Sequence, residues 1–594
     1  MFFSVFSKIS LRQASLVLLS VVAIALNSCS LDRFKAEATQ VPQMVASVGT
    51  DPSTFNYALN QAAPNVFGYI YEGLITSDGM TGEIIPAQAE SWEVSDDNLR
   101  ITFTLREGLK WSDGEPLTAD DVVFTFNDVY LNEEIPAPTR DVLRIGESGA
   151  LPTVRKVGDR QIEFVSPEPF APLLLYGGGA PILPAHKLRE AVETKNSAGE
   201  PLFLSTWGTG TDPGEIVGNG PYVMVSYSPA ERVVMRRNPY YWQQDEQGNP
   251  KPYVERFVWQ IIENTDTALL EFRSGGSDLI EISASTFQLL KKEENRGNFS
   301  IYQGGPDTSA LYFCFNLNQA SRNGQPIVDP VKSRWFNTLE FRQAVAHAID
   351  RPTMINNIFL GLGEAQNSPI PVQSVYYLSP QEGLKTYDYN LEQAKGLLTS
   401  AGFQYNSAGQ LLDAEGNRVQ FTLLTNSGGR RIATIGAQIK QDLAQIGMQV
   451  DFQPIDFNTL INRLGNTFEW DAYLGGITAS TEPHGWSAVW ALDGSLHTFN
   501  QAPTAGQPPV EGQQFADWER EIANLYVKGS QVLDEAGRRE IYAQAQQLMQ
   551  EHLPFIYLVN ALDMAAVRNT VQGIEYSSLG GPLWNLPDLR VAEN

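Results

Sequence analysis

The stretch Ile101-Thr102-Phe103-Thr104-Leu105-Arg106-Glu107-Gly108-Leu109-Lys110-Trp111-Ser112-Asp113-Gly114 runs shortly afterwards into Leu117-Thr118-Ala119-Asp120-Asp121-Val122-Val123-Phe124. Apolar and polar side chains alternate from Ile101 to Leu105, the period of a half-buried strand. Lys110 to Gly114 turns the chain, and Thr118-Ala119-Asp120-Asp121 has the form of a capping box opening a helix. Strand, turn and helix follow one another here.

Other segments extend the pattern in both directions. Val41 to Val48 is short and apolar and meets Gly49-Thr50-Asp51-Pro52-Ser53, a turn rich in polar groups. Far downstream, Val419 to Thr425 is strand-like, Arg431 to Ile446 has helical apolar spacing, Gly447 stands as a C-cap, and Gln449 to Gln453 is strand-like again. That is a βαβ unit, with parallel strands and a right-handed crossover. Ligands of open α/β sheets sit beyond the carboxyl ends of the strands. The loop after Trp470-Asp471-Ala472-Tyr473-Leu474 is therefore the expected ligand edge.

The beginning of the chain reads as an export signal, 1–28: Lys8 and Arg12, then an uncharged apolar run from Ala14 to Leu26. That run is too short for a membrane-spanning helix, which needs roughly 20 residues. Leu26-Asn27-Ser28-Cys29 resembles the bacterial lipobox, which implies acylation of Cys29 and a membrane anchor. The only other cysteine is Cys314, so acylation of Cys29 leaves no partner for an intrachain disulfide. Removing the signal takes the net charge from −26 to −28, because its only charged residues are Lys8 and Arg12. Nucleic acid is thereby an unsuitable partner, since binding its phosphates relies on clustered Lys and Arg. The mature length exceeds what one hydrophobic core supports, so two or three domains are expected.

The opening stretch, together with Glu90-Ser91-Trp92-Glu93-Val94, resembles the signature block of the family 5 extracytoplasmic solute-binding proteins, the peptide- and nickel-type substrate-binding components of ABC importers. The resemblance continues in order through Tyr71-Glu72-Gly73-Leu74, Gly218-Asn219-Gly220-Pro221-Tyr222, Arg237-Asn238-Pro239-Tyr240-Tyr241-Trp242, the segment Phe341 to Arg351, and Leu553-Pro554-Phe555. It implies a two-lobed α/β fold of the periplasmic binding protein type with an extra inserted domain, three domains in all. Domain I is expected at 41–79, 208–305 and 550–594, domain II at 80–207 and domain III at 306–549, with two chain crossings as a hinge. The implied protein is a monomer without cofactor or catalytic group, on the outer side of a membrane, that closes over a solute and passes it to permease subunits. Peptides are the first cargo to expect; a metal chelate, an opine or an oligosaccharide is the alternative, and a secreted hydrolase the remote one.

Gly475-Gly476-Ile477-Thr478-Ala479-Ser480-Thr481-Glu482-Pro483 offers close backbone approach and hydroxyl groups. It reads either as a cleft wall or as an ordinary glycine-rich turn; the resemblance favours the wall, with Gly476, Ile477, Thr478, Ala479 and Ser480 as contacts. In peptide-binding relatives the matching loop carries an aspartate that pairs with the ligand's ammonium, and Ala479 stands at that place. Glu482 and Asp51 are the alternative cation partners, each with a competing structural reading. Thr50, Asp51 and Ser53 complete the opposite wall. Tyr312 and Asn316 lie in an aromatic run that serves either packing or the pocket, and Trp486 is a candidate for stacking on cargo. Gly177-Gly178-Gly179 suggests an anion nest but lacks phosphate-loop context. The five histidines show no metal-ligand spacing, and Ser480 with His484 is the only local serine-histidine pairing.

Overall fold

Four strands between residues 89 and 165 pair antiparallel in the order Ala89–Val94, Arg100–Leu105, Gln161–Val165 and Thr153–Lys156. In this computed structural model, which describes residues 41–60, 66–146, 148–478, 480–503 and 507–592, Ile101, Phe103 and Leu105 point into the core, as their alternation requires. The helix Ala119–Val123 follows, opened by the Asp121 carboxylate accepting from the Thr118 amide at 2.9 Å. Asp121 also accepts from the Ala185 amide at 3.0 Å, tying the helix to a second one, Ala185–Glu193.

A larger sheet of eight strands contains Gln43–Val48 near its middle, parallel to Arg256–Ile261 on one side and to Leu279–Glu281 on the other. Beyond Leu279–Glu281 come Val559–Arg568 and then Phe299–Pro306, both antiparallel to their neighbours. The small sheet and most of this larger one share one continuous hydrophobic core, running from Met44 through Phe103, Trp111 and Phe257 to Leu589. The inserted segment is thus fused onto the first lobe.

The second lobe has its own core and a five-stranded sheet in the order Gln449–Ile455, Gln420–Asn426, Ala472–Ile477, Ala310–Phe315, Phe555–Tyr557. The first two strands are parallel across the helix Arg430–Ala444, as the βαβ pattern predicts. Gly447 closes that crossover at φ +77°, and a Cβ there would meet the Gly409 carbonyl at 2.6 Å, so glycine is required on both counts.

The chain passes between lobes from Pro306 to Ala310 and again around Leu558, and between these Gly363–Ala365 adds the eighth strand of the first sheet by pairing with the start of Val559–Arg568. Phe555–Tyr557 pairs with Ala310–Phe315, so the return crossing falls later than the expected boundary at residue 550. The reason is register: the three-residue strand completes the second sheet before Val559–Arg568 enters the first.

Three of the sequence pieces quoted above, distant in the chain, meet in one cluster. The buried Glu72 carboxylate accepts hydrogen bonds from Tyr241 Oη at 2.5 Å, Gln88 Nε2 at 2.7 Å and Trp242 Nε1 at 2.8 Å. Asn219 binds the backbone of Glu72 both ways, accepting from its amide at 2.8 Å and donating to its carbonyl at 3.0 Å. Burial holds the Glu72 carboxyl above the usual range while its three donors pull it back down. This cluster locks the inserted segment onto the first sheet.

Candidate functional site

The carboxyl ends of Gln43–Val48 in the first lobe and Ala472–Ile477 in the second lead into the two loops expected to wall a cleft. Thr50 and Ser53 are exposed on the first loop. Asp51 is committed: its Oδ1 accepts from Tyr227 Oη at 2.6 Å and from the Ala230 amide at 3.0 Å. It anchors the turn to the strand behind it, and a ligand cation would have to compete with both donors.

On the second loop, Gly476 and Thr478 are exposed and Ile477 and Ser480 half-buried. Gly476 lies against the neighbouring strand so closely that a Cβ would meet the Ala310 carbonyl at 3.0 Å. Ala479 and Cys29 lie outside the described residues. Ser480 Oγ accepts from the Glu482 amide at 3.1 Å. Glu482 itself is buried, with Oε1 accepting from Arg538 Nη2 at 2.5 Å and from the His484 amide at 3.1 Å. Burial in this way demands a partner, and Arg538 supplies it, so Glu482 is a structural acid.

Three candidates turn inward instead of lining the cleft. Tyr312 is 3% exposed and accepts a hydrogen bond from Tyr473 Oη at 3.0 Å. Asn316 is 1% exposed, its amide donating to the carbonyls of Trp470 and Phe468 at 3.1 and 3.3 Å. The strand carrying Tyr312 is flanked on both sides by other strands and covered on both faces, which is why its aromatic run is core. Trp486, at 3% exposure, packs in the same core. The glycine run is also structural: Gly178 accepts from the Leu74 amide at 2.7 Å, and a Cβ on Gly73 would meet the Gly178 and Gly179 backbone at 2.7 Å. The close approach of the two backbones requires glycine at Gly73, and Gly178 is kept bare by the Ile75 and Phe103 side chains, which a Cβ there would meet at 2.9 and 3.0 Å.

The lobes touch along a seam that periodicity gave no sign of. Ala171 donates to the Ser530 carbonyl at 2.8 Å, and Gln531 Nε2 to Glu168 Oε2 at 2.9 Å. Between them the His484 ring meets Phe170 edge-on, centroids 4.9 Å apart, with Tyr176 at 6.0 Å. Burial pushes the His484 imidazole down to about 4; a backbone contact with Val142 opposes the shift and Arg538 adds to it. Between pH 6.5 and 4 the unfolded chain, or an opened seam, binds the proton that the closed seam refuses. The contribution of the buried His484 to the folded state is therefore full above 6.5 and falls by up to about 3 kcal/mol as pH drops to 4. Acid is expected to weaken cargo retention over that window, and His484→Gln to flatten the profile; equal pH profiles for the two proteins would contradict this.

Adjoining the seam at Tyr176, the first lobe carries a half-open cavity of about 990 Å³. It is bordered by the end of Gln43–Val48, by the inserted segment and by residues near the end of the chain. Sequence reasoning missed it, because its walls come from positions between 48 and 588 that share no periodicity.

Residues 83–499 match the family model described as bacterial extracellular solute-binding proteins, family 5 Middle. The chain is 27% identical over 556 residues to the "Probable ABC transporter-binding protein" of Deinococcus radiodurans, covering 89% of this chain and 88% of that one. It is 24% identical over 591 residues to the dipeptide-binding protein of Escherichia coli, covering 96% and 98%. Among solved structures, the oligopeptide-binding protein AppA of Bacillus subtilis in complex with a nonapeptide superposes with TM-score 0.69 at 21% identity, covering 93% of this chain and 99% of that chain. With an ordered resemblance, a family match over most of its length and two separately cored lobes joined by paired crossings, the chain belongs to the family 5 bacterial extracellular solute-binding proteins.

Proposed function

We propose that this chain is the substrate-binding component of an ABC importer, taking a peptide or a solute of similar size between its lobes and passing it to membrane permease subunits. The observation that carries the reading is the pair of cores joined by two adjacent crossings. Rotation about those crossings opens or closes the seam at His484, and a ligand shifts the balance by its differential affinity for the two states. Cys29 would hold the protein on the outer side of a membrane through its acyl chains, with the body working as a monomer.

A second reading, non-peptide cargo, is favoured by the state of the carboxylates. Asp51 and Glu482, the two acids proposed to take the place of the missing aspartate, already have partners. Hydrolysis has no support in the local pairing: Ser480 Oγ serves the Glu482 amide while the His484 ring packs on Phe170.

Native mass spectrometry of the mature body, purified gently with Cys29 replaced, tests the proposal. One retained solute per chain, released on denaturation, is expected. Turnover of a solute at trace protein concentration would overturn it.

A further inference from the structure

The cavity in the first lobe differs from an inter-lobe cleft in one respect: every described residue lining it belongs to the first lobe or its inserted segment. Its size falls within the range of small-molecule sites, and such sites are lined mainly by apolar and aromatic groups. Six of its wall residues are Tyr57, Tyr69, Tyr71, Tyr176, Trp259 and Trp584.

Its charges are few and already engaged. No Lys, Arg or His is among the described lining residues. The two lining acids are Glu72, held by Tyr241, Gln88 and Trp242, and Asp588, paired with Lys251. Glu281 and Asp563 on the first sheet make no ion pair among the described residues, but they lie outside the lining. An ammonium or carboxylate entering the cavity would give up its hydration without gaining an opposite charge that is not already paired, a large cost. An uncharged ring avoids that cost: any hydroxyls it carries can meet Tyr71 Oη, Trp259 Nε1 or Asn585 Oδ1, which have no hydrogen-bond partner among the described residues, and its faces gain contact with aromatic walls.

We propose that this cavity takes an uncharged, ring-bearing portion of the cargo, a pyranose or an aromatic side chain, and binds it before the lobes close. Because no described residue of the second lobe lines it, the described wall is already present in the open protein. Tyr176, which both lines the cavity and meets His484, connects its occupancy to the seam. The inference rests on the solute-capture reading and adds the chemical class of what is captured.

Gly179 provides the test. It lines the cavity at the end of the helix Leu173–Gly179, and a Cβ added there meets nothing within 4 Å. Gly179→Leu therefore adds a side chain at the cavity wall without displacing the core. Calorimetric titrations would use three probes: maltotriose, N-acetyl-Phe-Gly-Phe-amide, and Phe-Gly-Phe with free ends. At least one uncharged probe is expected to bind, tenfold or more tightly than the free-ended peptide, and to lose tenfold or more on Gly179→Leu. Which uncharged probe binds tells the sugar from the aromatic source. Free-ended peptide binding as tightly as its blocked form, or Gly179→Leu leaving uncharged-probe affinity unchanged, overturns the inference and leaves solute capture standing. Failure of all three probes, together with an empty protein on purification, overturns both. A thermal melt of Gly179→Leu matching the parent shows that any loss of binding is not unfolding.

Discussion

Glu482→Ala is expected to destabilise the second lobe by about 3–5 kcal/mol, the usual cost of stranding one half of a buried ion pair. Arg538 would remain in place with its Nη1 donating to Tyr376 Oη at 2.6 Å and its Nε to the Gly529 carbonyl at 2.9 Å, but with no carboxylate to balance its charge. Neither side chain of the pair is more than 8% exposed, so water cannot substitute. Arg538 also lies 4.7 Å over the Tyr376 ring, which softens the loss without neutralising it. Urea unfolding followed by tryptophan fluorescence reads the change. A double variant, Glu482→Gln with Arg538→Met, should regain most of it, because it removes both charges together. If Glu482→Ala instead kept its stability and lost cargo affinity, the acid would be a ligand group.

Trp486→Ala is expected to cost about 3–5 kcal/mol, as the loss of a large aromatic from a packed core generally does. The residue begins the turn into the short helix Ser487–Trp490, and both Trp486 and Trp490 are buried with Val489 in the second core. Cargo affinity, measured well below the melting temperature, should be unchanged. A weakened dissociation constant with an unshifted melt would put Trp486 back at the ligand.

The frame of this protein was readable from local pattern because each signal had a local cause. The Thr118 capping box, the Ile101–Leu105 alternation and the βαβ spacing around Gly447 each depend on neighbours within a few residues, and each appears where expected. The site was less readable for the opposite reason. Glu482 finds Arg538 on a helix 56 positions later, and Asp51 finds Tyr227 176 positions away. Neither pairing leaves a mark in spacing. Tyr312 stayed open between packing and pocket because period two separates an inner face from an outer one only when one face is wet, and its strand is covered on both. Phe555–Tyr557, three residues long, is too short for any pattern, and only its pairing with Ala310–Phe315 moves the second crossing past residue 550.

The position of Val559–Arg568 also sets an order of events during synthesis. This strand sits between Phe299–Pro306 and Leu279–Glu281 in the first sheet, yet it is made after nearly everything else. Domains generally form as units while the chain emerges. The second lobe, begun later, has all of its strands once Tyr557 is out, whereas the first, begun earlier, still has a gap between two of its strands. Until the last tens of residues arrive, that gap exposes two unpaired strand edges, the features most prone to wrong association. A released chain truncated just before residue 559 should therefore carry a protease-resistant second lobe beside a sensitive first one.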